Sequence, residues 1–202
     1  MPFDFLKRNK GSDTSSEPAA PVEESGPDGI PFDGWTEDWR LVGRMIVEGR
    51  LSDVLNKRDP IAISDVSWAP IDGSTPLAPA PGLKSVDPYD LVIVLAGHAS
   101  LPEMTEEKRT ALKIHKVSYE VALEVPPYRV IGTVMLYPGS VPETMMNRSS
   151  EMFVPVLDAT ATVGDLPVGN APEPAILVNR QYLRGVMQVD ARTGEQHKTL
   201  PS

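Results

Sequence analysis

The chain has 202 residues, 41% of them hydrophobic, with 21 prolines, no cysteine and a formal net charge of −9. The missing cysteine excludes a disulfide framework, a thiolate metal site and a cysteine nucleophile, and the dispersed bases of an acidic chain make nucleic acid an unexpected partner. No apolar run reaches the roughly 18 residues that a spanning helix needs, and the first residues lack the apolar stretch of a secretory signal, so the expected location is cytoplasmic.

Residues 1–10, MPFDFLKRNK, set Phe3, Phe5 and Leu6 beside Lys7 and Arg8. Such a peptide suits docking on a protein partner or peripheral contact with an anionic membrane, an ordinary frayed start being the alternative. Residues 11–34 hold six acids and no base among Ser, Pro and Gly. They cannot bury enough apolar area to offset chain entropy, so residues 1–34 read as a disordered acidic tail with a short basic and aromatic start.

From Trp39 the hydrophobic period becomes two, and Leu41, Gly43, Met45 and Val47 form one face of a strand. Gly49 breaks it. Ser52 is placed to cap a single helical turn carrying Val54 and Leu55, Asn56 to end it, and Ile61 and Ile63 to begin a second strand that stops near Asp65. The proline-rich stretch 70–88 reads as a loop, and YDLVIVLAG, residues 89–97, as a buried strand. Thr105, with glutamates after it and bases later, suits the start of a short helix. Val117 to Val125 alternate strictly and form a strand that Pro126-Pro127 ends.

The second half repeats the first. WRLVGRMIVE at 39–48 and YRVIGTVMLY at 128–137 share an aromatic, an arginine next to it and a glycine in fifth place. Gly49 then matches Gly139, Val54-Leu55-Asn56 matches Met145-Met146-Asn147, and Ile61, Ile63 and Asp65 match Val154, Val156 and Asp158; DLVIVLAG has a looser counterpart in YLRGVMQV, residues 182–189. Ser140 and Glu143 have capping-box spacing around Pro142, Pro155 belongs at a strand edge or bulge, and the prolines of 167–174 mark a loop. The expected fold is mainly β: two tandem pseudo-repeated small β units with short helical turns, each an Sm- or SH3-like barrel or both sharing one sandwich. The divisions are 1–34 tail, 35–100 first unit, 101–127 helix and linking strand, 128–190 second unit and 191–202 C-terminal tail.

GRLSDVLN followed by an Ile-x-Ile-x-Asp strand resembles an uncharacterised small all-β domain family of bacterial cytosolic proteins. The resemblance covers 39–97 and, more weakly, 128–189, where GSVPETMMN departs from the pattern. It implies a small β fold and brings no catalytic residues with it.

The chemistry is sparse. His98, His115 and His197 form no metal-ligand pair, and no nucleophile elbow or phosphate- or dinucleotide-binding glycine motif is present. Asp65 and Asp158 occupy matching places and would make a carboxylate pair for acid–base work or a hard cation, against the plainer role of bonding backbone where strands stop. Met145, Met146 and Met152 suit a soft partner surface or core filling. Arg40, Arg129, Trp39 and Tyr128 are the pieces an RNA-reading face would use. The expected function is a non-enzymatic protein-interaction or assembly module with no cofactor; the alternatives are an Sm-like single-stranded RNA binder and a small-ligand or metal-binding enzyme with its site between the repeats.

Overall fold

The computed structural model describes residues 29–47, 49–97, 100, 116–147 and 151–189. Their strands are β1 (Ile30–Trp35), β2 (Trp39–Met45), β3 (Ile61–Pro70), β4 (Ala78–Pro79), β5 (Ser85–Val86), β6 (Ile93–Ala96), β7 (Val117–Val125), β8 (Tyr128–Leu136), β9 (Phe153–Val163), β10 (Leu166–Asn179) and β11 (Gly185–Gln188). A five-residue helix α1 (Leu51–Leu55) follows β2, and a 3-10 turn (Pro142–Met146) follows β8. The strands form one sheet in the order β11-β7-β8-β9-β10-β6-β1-β2-β3-β4, with β5 also paired to β3 and every described pairing antiparallel. Its ends do not meet, so the described residues form an open sheet and not a closed barrel.

Core packing explains why closure is not needed. On β6, Ile93 and Leu95 belong to a core built with β7, β8 and β9, whereas Val94 and Ala96 belong to a second core built with β1, β2, β3 and α1. The paired β10 divides likewise, with Ile176 and Val178 on one side and Ala175 and Leu177 on the other. The two halves of the sheet therefore cover opposite faces of the β6–β10 pair. That is the reason LVIVLA reads as an unbroken apolar run, since a strand buried on both faces has no polar side to alternate with.

The two halves carry matching irregularities. Pairing shifts between Val42 and Arg44 opposite Asp65 on β3, and between Ile131 and Thr133 opposite Asp158 on β9. Asp65 and Asp158 sit in the left-handed region, with φ of 51° and 47°. Facing them, Gly43 and Gly132 approach the partner backbone so closely that a Cβ would lie 2.8 Å from the Ser64 carbonyl oxygen and 2.7 Å from that of Leu157. Each bulge thus needs a residue tolerant of positive φ on one strand and no side chain on the other. The turns before β6 and β11 also correspond. Asp87 accepts from the Tyr89 N–H and Asn179 from the Gln181 N–H, and the N–H groups of Val92 and Arg184 donate to the carbonyls of Trp35 and Glu124.

Several expectations are corrected. A strand begins at Ile30, inside the stretch assigned to the tail, because Phe32 and Trp35 are buried and register Gly34 against β2 and β6. β3 does not stop at Asp65; it bulges there and continues to Pro70. Ser52 and Ser140 cap nothing, since Arg50 and Val141 hold the capping positions without a side-chain bond. The prolines of 167–174 lie within β10, whose pairing to β9 shifts between Val168 and Glu173, and the loop 70–88 contains β4 and β5. Pro155 lies in an interior strand, but β8 pairs with β9 only from Leu157 onward, so Pro155 faces a local edge. The tail peptide, the helix expected from Thr105, all three histidines and the tail 191–202 lie outside the described residues.

Candidate interaction surfaces

Thr36 builds the β1–β2 turn: its Oγ1 accepts from the N–H groups of Asp38 and Trp39 at 3.3 and 2.9 Å. That turn sets Trp39 at the head of β2, opposite Pro70 on β3, next to the Leu41–Trp68 cross-strand pair. The indoles of Trp39 and Trp68 stack with centroids 4.7 Å apart and planes 18° from parallel. They remain 40% and 42% exposed, and Leu77, beside the Ala78 that faces Trp68, is exposed to the same degree. Glu37 and Asp38 give the neighbouring turn a negative charge. Two large rings held rigid and half in water are the composition of a binding hot spot, because they offer apolar area whose ordering cost is already met.

A groove of about 630 Å³ opens between α1 and the β8–β9 layer. Asn56, at the end of α1, ties its two walls: its Nδ2 donates to the Phe153 carbonyl at 3.1 Å and its Oδ1 accepts from the Phe153 N–H at 2.8 Å. Arg180 closes the floor at 7% exposure, donating from Nε to the Met145 carbonyl at 2.7 Å and from Nη2 to that of Thr144 at 3.1 Å. Burial lowers its pKa from the ordinary arginine value, against the opposing charge of Glu151. Its Nη1 also donates to the Glu151 carbonyl at 3.4 Å, so Arg180 fastens both Pro142–Met146 and the approach to β9 to the end of β10. Lys116 lies over the Tyr137 ring at 5.2 Å along the rim. The groove's lining contains no histidine or cysteine, and the Ser52 hydroxyl makes a long contact of 3.5 Å to Asp53, so among the described residues Ser52 has no base beside it of the kind that activates a nucleophile.

Asp65 and Asp158 are not brought together in the sheet, since β10, β6, β1 and β2 separate their strands. Asp65 lines a shallow hollow of about 310 Å³ with Pro79, Ala80 and Lys84. No group of three or more metal-ligating side chains gathers among the described residues. The four residues of the RNA face do not share one surface. Tyr128 is 2% exposed, meets Trp35 edge-on at 6.1 Å and donates its hydroxyl to the Thr36 carbonyl. Arg40 is engaged by Asp33 through two bonds of 2.6 and 3.0 Å and lies over the Trp35 ring at 5.0 Å, while Arg129 pairs with Glu124 at 3.3 Å. Met145 and Met152 are buried in different cores, and Met146 is exposed. Phe3, Phe5, Leu6, Lys7 and Arg8 lie outside the described residues.

Sequence reasoning passed over Trp68, Asn56 as a tether and Arg180. Only Trp68 left a signal, a large aromatic in an otherwise small and polar strand end. Comparison with protein-family models, curated proteins and solved structures gave no match. Among the described residues no helix is long and apolar enough to cross a membrane.

Proposed function

We propose that the chain is a non-enzymatic interaction module, built from two tandem copies of one five-stranded unit, that docks a protein partner on the Trp39–Trp68 pair. The observation that carries the reading is that stacked, half-exposed pair. The acidic turn at Glu37 and Asp38 favours a partner segment in which an apolar residue is followed by a basic one, the base meeting both the carboxylates and the indole faces. The matched bulges, turns and strand orders support the duplication.

The test is a quantitative pull-down from native lysate with the full-length protein and a Trp39→Ala/Trp68→Ala variant. The expected result is loss of at least one partner from the variant, with a melting temperature close to that of the parent because both rings are already half in water. Identical partner lists for the two proteins sink the proposal.

A further inference from the structure

Within the first half the strands run β6-β1-β2-β3 and then β4 with β5, and within the second they run β11-β7-β8-β9-β10. The last strand of each half is interrupted at the same place. β3 pairs with Pro79 and Ala78, then with Val86 and Ser85, just as β9 pairs with β10 on either side of the shift at Val168 and Glu173. By these matches Val86 stands where Val178 stands, Ser85 where Leu177 stands, and Val186 where Val94 stands. The halves are joined by β10 pairing with β6, Leu177 opposite Val94. One such edge of each kind is left over: β11 ends the sheet on one side and the β4–β5 strand on the other, among the described residues.

The leftover edges present the groups that the internal joint uses. The Val189 N–H donates to the Glu120 carbonyl, so alternation turns the N–H and C=O of Val186 and Gln188 away from β7. The Ile63 N–H donates to the Lys84 carbonyl, so Ser85 is turned away from β3. Superposing the internal register sets Val186 opposite Ser85 and places Arg184 opposite Asp87, both exposed and opposite in charge.

We propose that copies of this chain associate head to tail, β11 of one pairing antiparallel with β5 of the next in the register of the β10–β6 joint. The contact joins two different edges, so each copy keeps one of each and association continues beyond a dimer unless it closes into a ring. It does not involve the Trp39–Trp68 pair. Lys84 and the flanking Pro79 and Pro81 limit pairing to the few residues around Ser85, which makes the contact weak and concentration-dependent.

Sedimentation velocity of the full-length protein over a wide concentration series tests this. The average mass is expected to rise with concentration. Val186→Pro and Ser85→Pro each remove an outward N–H while sparing the ladder on the other side, so each variant alone should be monomeric, and their mixture should give one-to-one dimers and nothing larger. Far-UV circular dichroism checks that both are folded. Arg184→Glu, on an exposed side chain, keeps the test valid if a proline variant unfolds, and it should raise the dissociation constant about tenfold at low salt. A parent protein that stays monomeric at every concentration overturns the proposal, as do folded variants that associate like the parent or a mixture that stays monomeric.

Discussion

At Gly132 a Cβ would meet the Leu157 carbonyl oxygen at 2.7 Å and the Ala159 Cα at 2.9 Å, and both are backbone atoms that cannot step aside. Gly132→Ala is therefore expected to cost about 1–3 kcal/mol, seen as a lower urea midpoint. Across the same bulge Asp158 has φ of 47°. Asn tolerates that conformation and Val does not, so Asp158→Asn should leave stability unchanged while Asp158→Val loses about 1–2 kcal/mol. A clear loss of stability in Asp158→Asn would instead show that the aspartate acts through its charge. Burial first, then the negative charges of Asp38 and Glu37, raise the Tyr128 phenol pKa above its ordinary value of 10.0. A raised folded-state value means that its stabilisation is complete below about pH 10 and fades as the pH climbs through the folded value. Denaturant titrations at rising alkaline pH should therefore show a steeper loss in the parent than in Tyr128→Phe, which itself costs about 1–2 kcal/mol for the lost bond to Thr36. The matched places of these residues are visible in the sequence. The positive φ is not, because a bulge and a strand end use aspartate alike; and Trp39 with Arg40, being consecutive on a strand, point to opposite faces by the period of two alone.

Among the elements, α1 is held by what it touches more than by its own propensity. Five residues are too few to be stable in water, and no side chain caps its start. The Asn56 amide supplies the anchorage through its two bonds to Phe153, 97 residues away. Asn56→Ala leaves both backbone groups half-buried without that partner and is expected to cost about 1–3 kcal/mol in equilibrium unfolding, with protection from hydrogen exchange falling first in α1. The strands with clean alternation, β2, β7 and β8, are legible because each sends alternate apolar side chains into a single core. β1 and β10 are not, since Pro31 in one and Pro167, Pro172 and Pro174 in the other suggest loop composition while tertiary pairing holds them extended. Asn56 reads locally as a helix end, and its distant partner depends on a sheet order that no short window encodes.

For the molecule as a whole, β6 and β10 lend side chains to both cores, so neither half can lose its packing without exposing the other. Unfolding in urea should be a single transition. All three tryptophans, Trp35, Trp39 and Trp68, lie in the first half, so fluorescence reports that half and far-UV circular dichroism reports both. Coincident midpoints are expected, and a fluorescence transition separate from the dichroism one would mean that the halves unfold independently. The mainly β character is legible in the alternating stretches, whereas the single open sheet is not, because which edges join is decided by burial on both faces of β6. The same joint governs how the protein emerges from the ribosome. One edge of β6 pairs with β1 at once, but its other edge must wait for β10, roughly eighty residues later, which at about 5–20 residues per second leaves that edge and the Ile93–Leu95 face uncovered for several seconds or more. During that interval the nascent first half exposes an unpaired strand edge and an apolar face, so slower translation is expected to lengthen the time in which it can aggregate.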